Sequence, residues 1–275
     1  MKNRYTEADC RHLADLFVHR VKELASNGEP NYLLLSGGMD SVTVLYALIK
    51  AGIHFKAFTF YFKGYPSVDQ KAVELLQSKL GFEHEFIEIP SDWSTIESDV
   101  RKAIKACKEL YGRVREVKVE TIFALQYMNK YLPSGGNIFT GSEGDALVGY
   151  NRQMAMKCYS IGDSHPDMLS DRILNEEDNE FRKVFNANHK YAPVFEGAVT
   201  DFILGFTMAA CNSPKPKAIF YHAFAEYHRK YQSYRQPKAF QKAGNEKAMF
   251  NMIAQSKGFK NALSMFNSMS TEMGV

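Results

Sequence analysis

The stretch Tyr32-Leu33-Leu34-Leu35-Ser36-Gly37-Gly38-Met39-Asp40-Ser41 decides how this chain folds. An apolar run enters a glycine turn, and the residues after it, Val42 to Ala51, have the spacing of a helix. Strand, glycine turn and helix bring backbone N–H groups and a helix N-terminus together on an anion. Gly37 and Gly38 let the backbone approach a phosphate closely, and Ser36 and Ser41 bracket them with hydroxyls. A carboxylate beside such a site, Asp40, makes sense if a divalent cation lies between the two. No Lys follows the glycines, so this is not the G-x-x-x-x-G-K-[ST] loop.

The string S-G-G-M-D-S resembles the pyrophosphate loop of the N-type ATP pyrophosphatases, S-G-G-x-D-S. That resemblance implies cleavage of ATP to AMP and pyrophosphate, with an adenylated intermediate that a nucleophile displaces. It also implies nucleotide contacts from Leu35 through Gly38, from Ser41, and from the backbone around Thr59 and Phe60.

Working outward, the N-terminal half alternates helix and strand. Helical spacing predicts helices over 6–25, 42–51, 68–80, 94–111 and 116–132, and apolar runs predict strands over 32–35, 54–61, 82–89 and 137–140. Ser67 and Gln70 have capping-box spacing. Repeated β-α-β units predict an α/β fold with a parallel sheet, whose ligands bind beyond the carboxyl ends of the strands. Beyond Tyr150 there is only helical spacing, and Gly162 to Asn179 reads as a polar loop over the site. The expected organisation is a nucleotide-binding α/β domain over 1–150 and a helical region over 151–275 packed on the nucleotide site.

A second motif follows the fourth strand: Thr140-Gly141-Ser142-Glu143-Gly144-Asp145-Ala146-Leu147-Val148-Gly149-Tyr150. Glycines, carboxylates and hydroxyls at a strand end suit a ribose and metal loop. The run is similar to the S-G-E-G-x-D-E-L-F-G-G-Y segment of the asparagine synthetase family. A gapless register pairs Asp145 with a metal-binding aspartate of that family but puts Ser142 where the family has its general-base glutamate. A shifted register gives that role to Glu143 and leaves too few residues before Gly149-Tyr150. Tyr234-Arg235-Gln236-Pro237-Lys238-Ala239-Phe240 resembles the family's R-x-P-K-E-A-F, whose lysine stabilises charge on the adenylated intermediate. Residues 188–196 share only Pro193 with the family's L-E-A-R-V-P-F-L-D, and nothing transfers there.

The resemblance implies an ATP- and Mg²⁺-dependent ligase that adenylates a carboxylate and forms an amide with ammonia or an amine. In that reading Lys238 and Glu143 are catalytic, Asp40 and Asp145 hold the metal, and Thr140 and Gly141 join the nucleotide contacts. No glutaminase domain precedes the first helix and residue 2 is Lys2, so nitrogen would come from solution, from a different amine or from a partner protein. Two other superfamily activities remain open: a 7-cyano-7-deazaguanine synthase-like reaction, whose zinc cysteines are missing, and tRNA modification. A non-catalytic nucleotide-binding homologue is the alternative outside enzymes.

Composition agrees with a globular enzyme. Of 275 residues, 45% are hydrophobic and 24% charged, and the small net charge of +3 neither demands nor excludes nucleic acid. Cys10, Cys107, Cys158 and Cys211 are scattered without a C-x-x-C, which fits a reducing cytoplasm and argues against zinc. The histidines show no metal spacing. No apolar run reaches membrane-spanning length, so a cytoplasmic protein acting on a small molecule is expected.

Overall fold

The computed structural model describes residues 1–65, 67–149, 152–173, 179–231 and 245–275. The first helix, α1 (Glu7–Leu24), starts at a reciprocal cap: Thr6 accepts from Asp9 N, and the Asp9 carboxylate accepts from Thr6 N. Next come β1 (Asn31–Leu34), α2 (Met39–Ala51), β2 (Lys56–Phe62), α3 (Val68–Leu80) and β3 (Glu83–Ile89). The helices α4 (Trp93–Tyr111) and α5 (Glu116–Asn129) precede β4 (Asn137–Phe139). Then follow α6 (Gly144–Leu147), α7 (Arg152–Ile161), α8 (Pro166–Arg172), α9 (Glu180–Phe185) and β5 (Lys190–Ala192). Short helices α10 (Ala198–Leu204), α11 (Met208–Cys211), α12 (Ala218–Ala223) and α13 (Ala225–Tyr231) precede two longer ones, Glu246–Ser256 and Ala262–Glu272.

The N-terminal alternation is as the spacing predicts, with boundaries moved by up to three residues: α2 starts at Met39 rather than Val42, and α5 ends at Asn129 rather than near Leu132. Ser67 caps α3 by accepting from Asp69 N and Gln70 N. Two expectations need correction. Among the described residues the region beyond 150 is mainly helical but contributes one strand, β5, which pairs parallel to β4 in the register Ile138↔Tyr191. Three residues are too few to show strand periodicity; the open edge of β4, not local propensity, recruits them. The stretch 162–179 is not a polar loop throughout, because Pro166–Arg172 is a helix whose Met168 and Arg172 are buried.

All strand pairings are parallel, in the order β3-β2-β1-β4-β5. Alternate residues of each strand face opposite layers, as a pleated strand requires. Leu33, Ala57, Phe139 and Ala192 join a core with α1, α2 and α12. Tyr32, Leu34, Phe58 and Ile138 join a second core with α4, α5 and the helices 246–256 and 262–272. The chain runs outward from β1 to β3 in one direction and from β4 to β5 in the other. The crevice beyond the ends of β1 and β4 is therefore the topological switch point, where such sheets bind ligands.

One buried group in the second layer carries a stability prediction. Glu120 on α5 is fully buried and neither carboxylate oxygen has a partner. Burial first, then Glu116, pushes its carboxyl up to about 8, against the pull of Lys247. A carboxyl raised in the folded state contributes stability that is complete below its unfolded value near 4.5 and lost as pH rises through about 8. Glu120→Gln should remove that decline and stabilise the protein at pH 9 by on the order of a few kcal/mol. Melting temperatures of both proteins across pH 5 to 9 test this; parallel curves would refute it.

Candidate functional site

Ser36 to Ser41 form a self-closed loop at the end of β1. The Ser41 hydroxyl donates to Gly38 O at 3.1 Å and accepts from Ser36 N at 3.2 Å. With that proton spent, the Ser36 hydroxyl is the donor in its 3.1 Å contact with Ser41 Oγ, and it accepts from Gly38 N at 3.3 Å. Gly37 takes φ 64°, and a Cβ there would lie 2.8 Å from Ala72 Cβ, so only glycine fits. Gly38 is the N-cap of α2 and supplies no side-chain cap, which leaves the first N–H groups of this 13-residue helix aimed out of the sheet.

The loop after β4 is pressed against this one. A Cβ on Gly141 would sit 2.4 Å from Ser41 N, and one on Gly144 would sit 2.7 Å from Asp40 Oδ1. These two contacts bring Asp145 to the same place as Asp40. Both carboxylates grip one ammonium: Lys217 Nζ bonds Asp40 Oδ2 and lies 2.5 Å from Asp145 Oδ1. Burial pushes the Asp40 carboxyl above its usual range, and Asp145 adds to this while Lys217 opposes it. Burial alone would lower Lys217, but the two carboxylates outweigh it and hold the ammonium charged.

Asp40 Oδ1 is buried and has no partner, and the Asp145 side chain is 63% exposed. Two convergent carboxylates, one with an unused buried oxygen, are the hard-oxygen donor set a divalent cation takes. The residues present therefore fit Mg²⁺. Among the described residues no group of three or more His, Cys, Asp or Glu side chains gathers as a metal cluster, so water and phosphate oxygens would complete the shell.

Glu143 precedes α6 at φ 80°, a left-handed conformation that suits glycine better than glutamate. The Glu143 side chain lies among the buried polar groups of Asn179 and Tyr191. Asn179 Nδ2 donates to its Oε1 at 2.5 Å. Burial, then Glu196, pushes the Glu143 carboxyl up to about 7, against Arg182 and Asn179. Tyr191 from β5, raised by burial and by Glu143, lies 3.4 Å from Thr140 Oγ1, which also accepts from Ser142 N.

On the other side of the loop, Thr59 is buried and its hydroxyl donates to Leu35 O at 2.6 Å. His84 Nε2 lies 2.9 Å from the same hydroxyl oxygen. Because the Thr59 proton is committed to a carbonyl, His84 must donate through Nε2. Phe60 is half-buried in the C-terminal half of β2. Leu35, Ser36, Gly37, Gly38, Asp40, Ser41, Thr140, Gly141 and Asp145 thus come together at the switch point. Thr59 reaches them through Leu35, and Glu143 lies with Asn179 and Tyr191. Lys238 lies outside the described residues. Sequence reasoning missed Lys217, Asn179 and Tyr191; the only local hint was Ser213-Pro214-Lys215-Pro216-Lys217, a proline-broken basic stretch just before a helix.

A parallel sheet with a self-closed glycine loop and an acidic second loop at its switch point is the frame of an ATP-using PP-loop synthetase. Residues 12–256 match the profile of the family described as Asparagine synthase, and the chain belongs to that family. Its synthetase domains are ATP-using PP-loop enzymes. Among solved structures the chain is similar to NMN synthetase from Francisella tularensis, at 15% identity over 85% of this chain and 99% of that one, with a TM-score of 0.37. No curated protein sequence matches it significantly. Among the described residues, no helix is long and apolar enough to cross a membrane.

Proposed function

We propose that this protein is an AMP- and pyrophosphate-forming ligase that activates a carboxylate as an acyl-adenylate and captures it with ammonia or an amine. The observation that carries the reading is the meeting of Asp40, Asp145 and Lys217 where the two glycine loops touch. In the first step a substrate carboxylate oxygen attacks the α-phosphorus of ATP and the bond to the β-phosphate breaks, releasing pyrophosphate. Gly37, Gly38 and the N-terminus of α2 cradle that leaving group, with the Ser36 and Ser41 hydroxyls rotating out of the loop's own bonds to donate to it. Thr59, Phe60, Leu35, Thr140 and Gly141 line the nucleoside side.

Asp40 and Asp145 would hold Mg²⁺, which when bound supplies a positive charge against the departing pyrophosphate. Lys217 adds a fixed ammonium to the same side, and Lys238 is assigned the charge on the α-phosphate and acyl oxygen. In the second step the nitrogen attacks the acyl carbon, the bond to AMP breaks, and the amine proton passes to Glu143. A carboxyl pushed up to about 7 is half ionised near neutrality, where a general base is most effective. The acceptor is a small molecule, and the nitrogen is ammonia, an amine or ammonia delivered by a partner protein in the cytoplasm.

The test incubates the protein with ATP, Mg²⁺, ammonium and a panel of carboxylic acids, reading AMP and pyrophosphate. Acid-dependent release of both supports the reading. Turnover only with tRNA or a nucleobase acid would replace it with the nucleobase-modifying alternative. ATP bound and returned intact with every acceptor would leave a nucleotide-binding homologue. Glu143→Gln separates the two steps: acid-dependent exchange of pyrophosphate into ATP should persist while amide formation falls roughly 10²- to 10⁴-fold. Equal losses in both assays would remove Glu143 from the role of base.

A further inference from the structure

Lys217 reaches the two carboxylates from an unfavourable backbone position. Its φ of 57° and ψ of 32° are left-handed, a region that long L side chains rarely adopt, and its side chain is 4% exposed. It is the N-cap of α12 and gives that helix no side-chain cap. Something outside Lys217 must therefore hold its backbone, because a strained conformer persists only where its surroundings over-determine it.

One side-chain amide contributes to that hold, beside the bonds that Lys217 O accepts from Phe220 N and Tyr221 N. Asn212, at the C-terminus of α11, accepts from Lys217 N at 2.9 Å through Oδ1. Its Nδ2 donates to Val148 O at 2.8 Å and to Met208 O at 2.9 Å. Val148 caps the C-terminus of α6, the turn that carries Asp145. One planar group thus ties the backbone of the ammonium to the backbone of one of its carboxylates. The fit leaves no slack at the next residue, since a Cβ on Gly149 would lie 2.0 Å from Met208 Sδ. We infer that Asn212 is a positioning residue: it sets Lys217 Nζ between Asp40 and Asp145, and its catalytic effect, which rests on the function proposed above, is exerted through Lys217.

A second strap makes the inference testable apart from folding. Arg172 of α8 is buried and donates to Leu147 O at 2.8 Å, to Phe206 O at 3.1 Å and to Ile203 O at 3.3 Å. α6 is therefore still anchored when Asn212 is changed, and the loss falls on Lys217. Met208 O likewise keeps its bond from the Asn212 backbone N–H.

The experiment compares wild type, Asn212→Ala and Asn212→Asp in the full chain. Two quantities are read: the rate at which an amine-reactive reagent modifies Lys217, by peptide mass spectrometry, and the kcat and KM for ATP in pyrophosphate release. The alanine variant should label Lys217 at least tenfold faster than wild type and lose at least tenfold in kcat, with KM for ATP within about threefold. The aspartate variant keeps an acceptor for Lys217 N but loses the Nδ2 donors to Val148 O and Met208 O, so its labelling should lie between wild type and the alanine variant. If alanine and aspartate label alike, or if labelling of the alanine variant matches wild type, Asn212 does not hold Lys217 and the inference falls. Should the alanine variant fail to fold, the aspartate variant decides by the same labelling comparison against Lys217 in wild type, labelling at the wild-type rate refuting the inference. If wild type releases no pyrophosphate with any acceptor, the proposed function fails while labelling still decides the role of Asn212.

Discussion

Replacing Asp40 with asparagine is expected to lower acceptor-dependent release of AMP and pyrophosphate by roughly 10²- to 10³-fold, the cost of losing one preorganised group that meets charge as it develops. The substitution keeps the shape of the side chain, so the close approach of Gly144 survives. It removes the carboxylate that has both an unused buried oxygen for a cation and a bond to Lys217. Lys217 keeps Asp145, whose side chain is largely exposed, so the ammonium is not stranded and the fold should hold. Circular dichroism and a melting curve close to wild type would show that the loss is chemical. A variant with wild-type pyrophosphate release, or a wild-type protein that yields ADP and phosphate instead, would overturn the assignment of the loop.

Lys217→Met should be nearly as damaging, but with a different signature. Asp40 and Asp145 would then face each other without the ammonium between them, and Asp40 is already pushed toward its protonated form by burial and by Asp145. Breaking a buried pair by removing one partner costs about 3–5 kcal/mol. In a chain of 275 residues each kcal/mol lowers Tm by about 2–4 °C, so a fall on the order of 10 °C is expected. Mg²⁺ distinguishes this from general damage. The vacated position between two carboxylates should take the cation, so Mg²⁺ should raise the Tm of Lys217→Met by more than it raises wild type. No such gain, or the same gain in Lys217→Met combined with Asp40→Asn, would argue against a cation held by these carboxylates. Pyrophosphate release should fall by roughly 10²-fold or more even in saturating Mg²⁺, because a mobile cation does not reproduce a fixed one.

Much of the site was legible because its parts are local. Ser36 to Ser41 make their bonds within six consecutive residues, so the string itself specifies the loop geometry. The second motif was half legible. Its glycines and Asp145 could be read, but the register could not, since spacing alone does not say which residue turns left-handed. That residue is Glu143, at φ 80°, which only the backbone geometry shows. Lys217 was invisible for a different reason: it lies 177 residues from Asp40 along the chain, on no motif, and in a conformation that propensity disfavours.

The sequence alone determined the α/β alternation, the parallel sheet and the anion-binding turn after β1. These follow from hydrophobic period, caps and glycine chemistry, all of which act within about ten residues. The short strand β5, the helix Pro166–Arg172 and the gathering of Lys217, Asn179 and Tyr191 around the two loops were decided only by the tertiary structure. Each of these depends on a partner supplied from elsewhere: an open sheet edge for β5, three backbone carbonyls for Arg172, two carboxylates for Lys217. Burying a polar or charged group is tolerated only where such partners converge, and their convergence is a property of the fold, which no window of sequence contains.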